Sequence, residues 1–132
     1  MLDDKLSVLL VDDNFLILKA YSALLQSIGY TVQAAGDGVE ALQSLREHIP
    51  DLIVSDLDMP VMSGFELLSI VRRRFPSIQV VAMSGAFAES SIPVGLCADA
   101  FYPKGGACTN PLPQMVNAIT ERCAANPGRC VA

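Results

Sequence analysis

The 132-residue chain predicts an α/β fold, a doubly wound sheet of five parallel strands with helices on both faces. Three observations predict it. Five short apolar runs alternate with segments whose apolar residues recur at helical spacing. Turn and cap residues fall between the two kinds of segment. The composition, 52% hydrophobic and 17% charged, is that of a compact globular chain rather than a disordered one. The length suits one domain over residues 1–132, with a core at 6–122 and a C-terminal tail, 123–132, whose end NPGRCVA, 126–132, frays.

The elements follow in order. LSVLLV, 6–11, is a buried strand that runs into Asp12-Asp13. Phe15, Leu18, Tyr21, Leu24, Leu25 and Ile28 mark the first helix, capped by Asp13 or Asn14 and stopped at Gly29. TVQAA, 31–35, is a weaker strand, and GDG, 36–38, a turn. Val39, Leu42 and Leu45 mark a second helix that ends before Pro50. DLIVSD, 51–56, is the third strand. Ser63 and Glu66 have capping-box spacing at the start of a third helix, where Phe65, Leu68 and Val71 or Arg72 define the faces. Pro76 closes that helix, and the basic run Arg72-Arg73-Arg74 complements its C-terminus. SIQVVAMS, 77–84, and ADAFY, 98–102, are the fourth and fifth strands. Between them, Pro93 and Gly95 allow at most a short or irregular helix over 86–97. A last helix starts at Pro111 or Pro113.

Composition also narrows function. A net charge of −5 argues against a general attraction to nucleic acid. No apolar run approaches the ~20 residues that span a bilayer, and the acidic N-terminus does not read as a secretory signal. Cys97, Cys108, Cys123 and Cys130 contain no C-x-x-C pair and fit no zinc spacing. They read as mostly free thiols in a reducing, cytoplasmic setting, with a Cys123–Cys130 disulfide as the less favoured alternative.

In an open parallel sheet, ligands bind beyond the carboxyl ends of the strands. Those ends carry the chemistry here. The first strand ends in Asp12-Asp13, the third in Asp56 with Asp58 just beyond, and the fourth in Ser84. Lys104 follows the fifth. Carboxylates gathered in one crevice repel each other, and a hard divalent cation removes the conflict. Mg2+ takes such oxygen ligands and keeps several waters. Carboxylate, Mg2+, hydroxyl and ammonium make a phosphoryl-transfer site, and an aspartate can attack phosphorus. Asp56, on the central strand, is the nucleophile candidate.

VDDN at 11–14, DLDMPVMSG at 56–64, MSG at 83–85 and FYPK at 101–104 stand in order along the chain. In these motifs the sequence resembles the receiver domain of two-component response regulators, chemotaxis-regulator-like and single-domain, over residues 6 to about 122. The resemblance implies a flavodoxin-like sheet of strand order 2-1-3-4-5. It implies that Asp56 accepts a phosphoryl group and that Asp12, Asp13, Asp56 and Asp58 serve Mg2+, Asp58 through its backbone carbonyl. The Asp58 side chain sits where the family tunes dephosphorylation. Ser84 matches the switch hydroxyl, Lys104 the lysine that pairs with a phosphate oxygen, and Phe101 the aromatic switch position. The partners implied are a sensor histidine kinase or phosphotransfer protein and an output protein, with the chain a monomer or weak dimer. Such a domain is a phosphoacceptor, with slow autodephosphorylation at most, rather than an enzyme. Three departures stand out: Gly105 follows Lys104 where proline is common, Pro93 and Gly95 interrupt the fourth-helix region, and Phe101 lacks a tyrosine hydroxyl.

Taken singly, each residue has an ordinary reading. Asp12 and Asp13 suit a strand end and cap, Asp56 and Asp58 a solvated loop, Ser84 a turn, Lys104 a surface charge and Phe101 the core. His48, the single histidine, is solvated near the end of the second helix and cannot serve a Ser-His-Asp triad. Met59, Met62 and Met83 read as packing residues. Two other functions compete. One is a degenerate receiver used only for protein binding. The other is a small phosphatase with an aspartyl nucleophile at Asp56 and an acid at Asp58. It leaves the acids of the first strand without a role.

Overall fold

The computed structural model describes residues 6–57, 62, 64–84 and 100–103. Within them the chain runs β1 (Ser7–Val11), α1 (Phe15–Ser27), β2 (Thr31–Ala35), α2 (Gly38–Glu47), β3 (Leu52–Asp56), α3 (Gly64–Arg74), β4 (Gln79–Ser84) and β5 (Ala100–Pro103). Every pairing is parallel and the strand order is β2-β1-β3-β4-β5. That is the expected doubly wound sheet. Strand ends differ from the sequence reading by one or two residues, with Pro103 joining β5 as its last residue. The 86–97 segment, where at most a short or irregular helix is expected, the helix from Pro111, the tail, the four cysteines and Ser63 all lie outside the described residues.

Strand alternation divides the apolar side chains between two cores. On one face Leu9, Val11, Ile53, Val80 and Ala82 pack with Ala41 and Leu45 of α2 and Leu67, Leu68 and Val71 of α3. On the other, Val8, Leu10, Leu52, Val54, Val81 and Met83 pack with Leu18 and Leu25 of α1. β3 is buried along its whole length because it lies between β1 and β4 with helices on both sides. β2, at the edge, exposes Thr31, Gln33 and Ala34.

The helix ends follow their cap chemistry. The Asn14 side chain accepts from the N–H groups of Leu16 and Ile17, which resolves the choice of cap for α1 in favour of Asn14. Gly29 turns the chain at φ 106° after the helix, a conformation that glycine adopts without a Cβ penalty. In α2, Asp37 caps Glu40 N–H at 2.8 Å while the Glu40 carboxylate reaches back to Gly36 N–H. This is a capping box displaced by one residue, and it makes Gly38 the first helical residue rather than the last of a turn. Gly38 also lies against the loop after β3: a Cβ there would fall 2.7 Å from Met62 Sδ and 2.9 Å from Met62 Cβ.

The core stripe of α1 is narrower than its apolar spacing suggests. Leu18 and Leu25 are buried and Tyr21 is packed, but Phe15 is 68% exposed and Leu24 and Ile28 are also exposed. Val39 of α2 is exposed too. Apolar periodicity located both helices correctly and overstated how much of each faces the sheet. No helix among the described residues is long and apolar enough to cross a membrane.

Candidate functional site

Asp12 follows β1 directly, and Asp56 is the last residue of β3. They share the alternation of Val8, Leu10, Leu52 and Val54, so both lie on the α1 side of the sheet. Val11 pairs with Ser55 in the β1/β3 register, which sets the two acids side by side one residue further on. Asp13, one residue later, leads into α1. One carboxylate oxygen from each of Asp12, Asp13 and Asp56 lies within 4.8 Å of the other two. Asp12 and Asp56 are buried while Asp13 is exposed, so the cluster opens to solvent on one side.

The backbone beneath the cluster is tied down. Asp12 N–H donates to Ala35 O across the β1/β2 edge at 3.2 Å. Asp12 Oδ1 accepts from Asn14 N–H at 2.9 Å, linking the first acid to the residue that caps α1. Leu57 N–H donates to Met83 O at 2.9 Å and Gly64 N–H to Leu57 O at 3.1 Å. The wholly buried Ser55 hydroxyl donates to Asp56 O at 3.1 Å. Gly64, opening α3, sits so close that a Cβ would strike Asp56 O and come 2.6 Å from Leu57 Cα. Only glycine lets α3 begin directly against the Asp56–Leu57 peptide.

Three oxygen donors of this size and separation suit a hard cation such as Mg2+. The cluster is the one group of three or more acidic or metal-ligating side chains at such distances among the described residues. Its electrostatics favour a cation: three carboxylates, two of them buried, are costly together unless positive charge compensates them.

The other site expectations divide by position. Ser84 ends β4 one residue after Met83, the register partner of Asp56, and Pro103 of β5 pairs with Ser84. The backbone therefore brings the end of β4 next to Asp56 and the end of β5 next to Ser84. Phe101 lies in β5 opposite Ala82. Asp58 and Lys104 lie outside the described residues. His48 is exposed, as expected, but it is not idle: its backbone N–H closes α2 on Ser44 O, and its Nε2 is 3.2 Å from Ser7 Oγ. Met83 is buried and Met62 packs against the core, while Met59 lies outside the described residues. Two contributors escaped the sequence reading. Ser55 sits inside an apolar run, and Gly64 stands out in the sequence only as part of a motif. A polar residue inside an otherwise apolar buried strand was the available signal for Ser55.

Comparison with known proteins agrees with this geometry. A family model described as the response regulator receiver domain matches residues 8–102. The chain is 36% identical over 96 residues to the polar-differentiation response regulator DivK of Brucella anthropi, covering 69% of this chain and 78% of that protein. It is 42% identical over 103 residues to the sensor kinase CckA of Brucella abortus, covering 74% of this chain but only 11% of that much longer protein. Among solved structures, the chemotaxis protein CheY4 of Vibrio cholerae superposes with a TM-score of 0.75 at 30% identity, over 89% of this chain and 98% of that one. The receiver domain of the Francisella response regulator 1452 superposes with a TM-score of 0.79 at 28% identity, over 89% and 98%. The chain belongs to the response regulator receiver domain family.

Proposed function

We propose that this domain is a phosphorylation-controlled signalling switch whose phosphoacceptor is Asp56. The observation that carries the reading is the meeting of buried Asp56 with Asp12 and Asp13 within 4.8 Å, in a chain of the receiver family. Asp12, Asp13 and Asp56 would hold Mg2+, together with the backbone carbonyl of Asp58. Bound there, Mg2+ supplies positive charge against the carboxylates and the phosphoryl oxygens. An Asp56 oxygen forms the bond to phosphorus as the P–N bond of a donor phosphohistidine breaks. The bonding pair stays on the imidazole nitrogen, which takes a proton from solvent.

The donor is a sensor histidine kinase or a phosphotransfer protein, in keeping with relatives named as a sensor kinase and as response regulators. Lys104 pairs with a phosphate oxygen. Ser84, at the end of β4, turns toward the phosphate, and Phe101 repacks with it. The Asp58 side chain tunes loss of the phosphoryl group. Output runs through protein partners in the cytoplasm, with the chain monomeric or weakly dimeric, and the domain is a switch rather than a turnover enzyme. The involvement of both Asp12 and Asp13 favours this over a two-aspartate phosphatase, which has no use for them. Incubation with acetyl phosphate and Mg2+ tests it: a phosphate-sized mass gain is expected, absent in Asp56→Asn. An unmutated chain that gains no mass would overturn the proposal in favour of a receiver used only for binding.

A further inference from the structure

Ser55 is wholly buried on the α2/α3 side of β3, between Val11 of β1 and Ala82 of β4 in the register. Its neighbours along the strand, Leu52, Ile53 and Val54, are apolar and equally buried. Alanine would occupy this position with no polar atom to satisfy, and a buried hydroxyl is tolerated only with a hydrogen-bond partner. The partner is one atom, the carbonyl oxygen of Asp56 at 3.1 Å. That carbonyl begins the Asp56–Leu57 peptide, whose N–H donates to Met83 O at 2.9 Å and against which Gly64 packs without room for a Cβ. The peptide is thus held at its carbonyl by Ser55, at its N–H by β4 and on its flank by α3. This peptide joins the Asp56 Cα through the Cα–C bond, so holding it at three points restricts ψ of Asp56 and steadies the Cα that carries the carboxylate.

We infer that Ser55 is a positioning residue for Asp56: its hydroxyl fixes the Asp56–Leu57 peptide and so sets the reach of the carboxylate toward Asp12 and Asp13. The inference rests on the reading of Asp56 as phosphoacceptor for its consequence, but the hold on the peptide is observable without it. A reacting atom displaced by a fraction of an ångström loses rate rather than binding.

The test uses the whole chain with Ser55→Ala and Ser55→Thr. At saturating Mg2+, Ser55→Ala is expected to slow maximal phosphoryl uptake from acetyl phosphate about tenfold. The half-saturating donor concentration should stay unchanged, and Ser55→Thr, which keeps the hydroxyl, should restore most of the rate. Separately, with neither metal nor donor present, the Leu57 amide resonance should shift in Ser55→Ala and return in Ser55→Thr. An alanine variant that takes up phosphate at the unmutated rate overturns the inference, and so does an unmoved Leu57 resonance. If the unmutated chain accepts no phosphoryl group, the phosphoacceptor reading falls, while the Leu57 resonance still decides whether Ser55 governs the peptide.

Discussion

At the amino end of the sheet, Asp51 stands just before β3 and turns Oδ2 to the backbone N–H of Ser7 at 2.9 Å. Its own N–H donates to Ser7 O, and its carbonyl accepts from Gln79 N–H, so one aspartate joins β1, β3 and β4 where they begin. Ser7 Oγ meets His48 Nε2 beside it. At the carboxyl end, Asp12, Asp13 and Asp56 crowd together within 4.8 Å, two of them buried. The residue type is the same and so is the location at strand termini. What differs is burial and company: Asp51 is exposed and belongs to no such cluster among the described residues, whereas two of the three acids at the other end are buried. An aspartate alone at a strand end serves the backbone, whereas three together create a demand for positive charge that the backbone cannot meet. Clustering and burial together, rather than the mere presence of an acid, separate the two ends.

Substitutions at the two ends break or sharpen that contrast. Gly64→Ala has the largest expected effect, because its methyl would strike Asp56 O and Leu57 Cα, which are both backbone. Denaturant unfolding should show a loss of about 3 kcal/mol or failure to fold. Next, Mg2+ at a hundredfold excess over its dissociation constant should stabilise the unmutated chain by about 2.7 kcal/mol. Asp13→Asn should remove most of that gain, while Asp51→Asn should leave it whole. A thermal melt with and without Mg2+ reads both, and equal sensitivity at the two ends would end the distinction. Asp51→Asn should instead lower metal-independent stability by about 1 kcal/mol, through its weakened bond to Ser7 N–H. Asn14→Ala should cost a similar ~1 kcal/mol through the lost cap of α1. Smallest of all, Ser7→Ala removes an exposed contact with His48 and should change stability by less than about 0.5 kcal/mol.

Much of this contrast was legible in the sequence, and the reasons are specific. The five strands and three described helices could be placed because apolar period and cap residues agreed at nearly every boundary. Asp12, Asp13 and Asp56 could be grouped because parallel topology sends every strand's carboxyl end to one edge. Burial could not be read in the same way. Phe15, Leu24, Ile28 and Val39 have the chemistry of core residues but lie off the arc that meets the sheet. The side-chain roles of Asp51 and Ser55 are equally hidden, since each side chain makes one hydrogen bond to backbone that spacing does not encode. The sequence places His48 in solvent, and its contact with Ser7, 41 positions away, arises only in the folded sheet.

The contact between Gly38 and Met62 has a consequence for how this domain can change. The two positions belong to separate segments, the start of α2 and the loop after β3, yet the Met62 side chain fills the space that any larger residue at 38 would need. A side chain at 38 therefore collides first with Met62 Sδ and Cγ, which a smaller residue at 62 would remove, and then with Met62 Cβ, which clears only if the segment around 62 shifts or residue 62 is glycine. The order of the two substitutions matters as much as their identity. Grafting a loop from a related receiver onto this chain should succeed or fail on whether residue 38 travels with it.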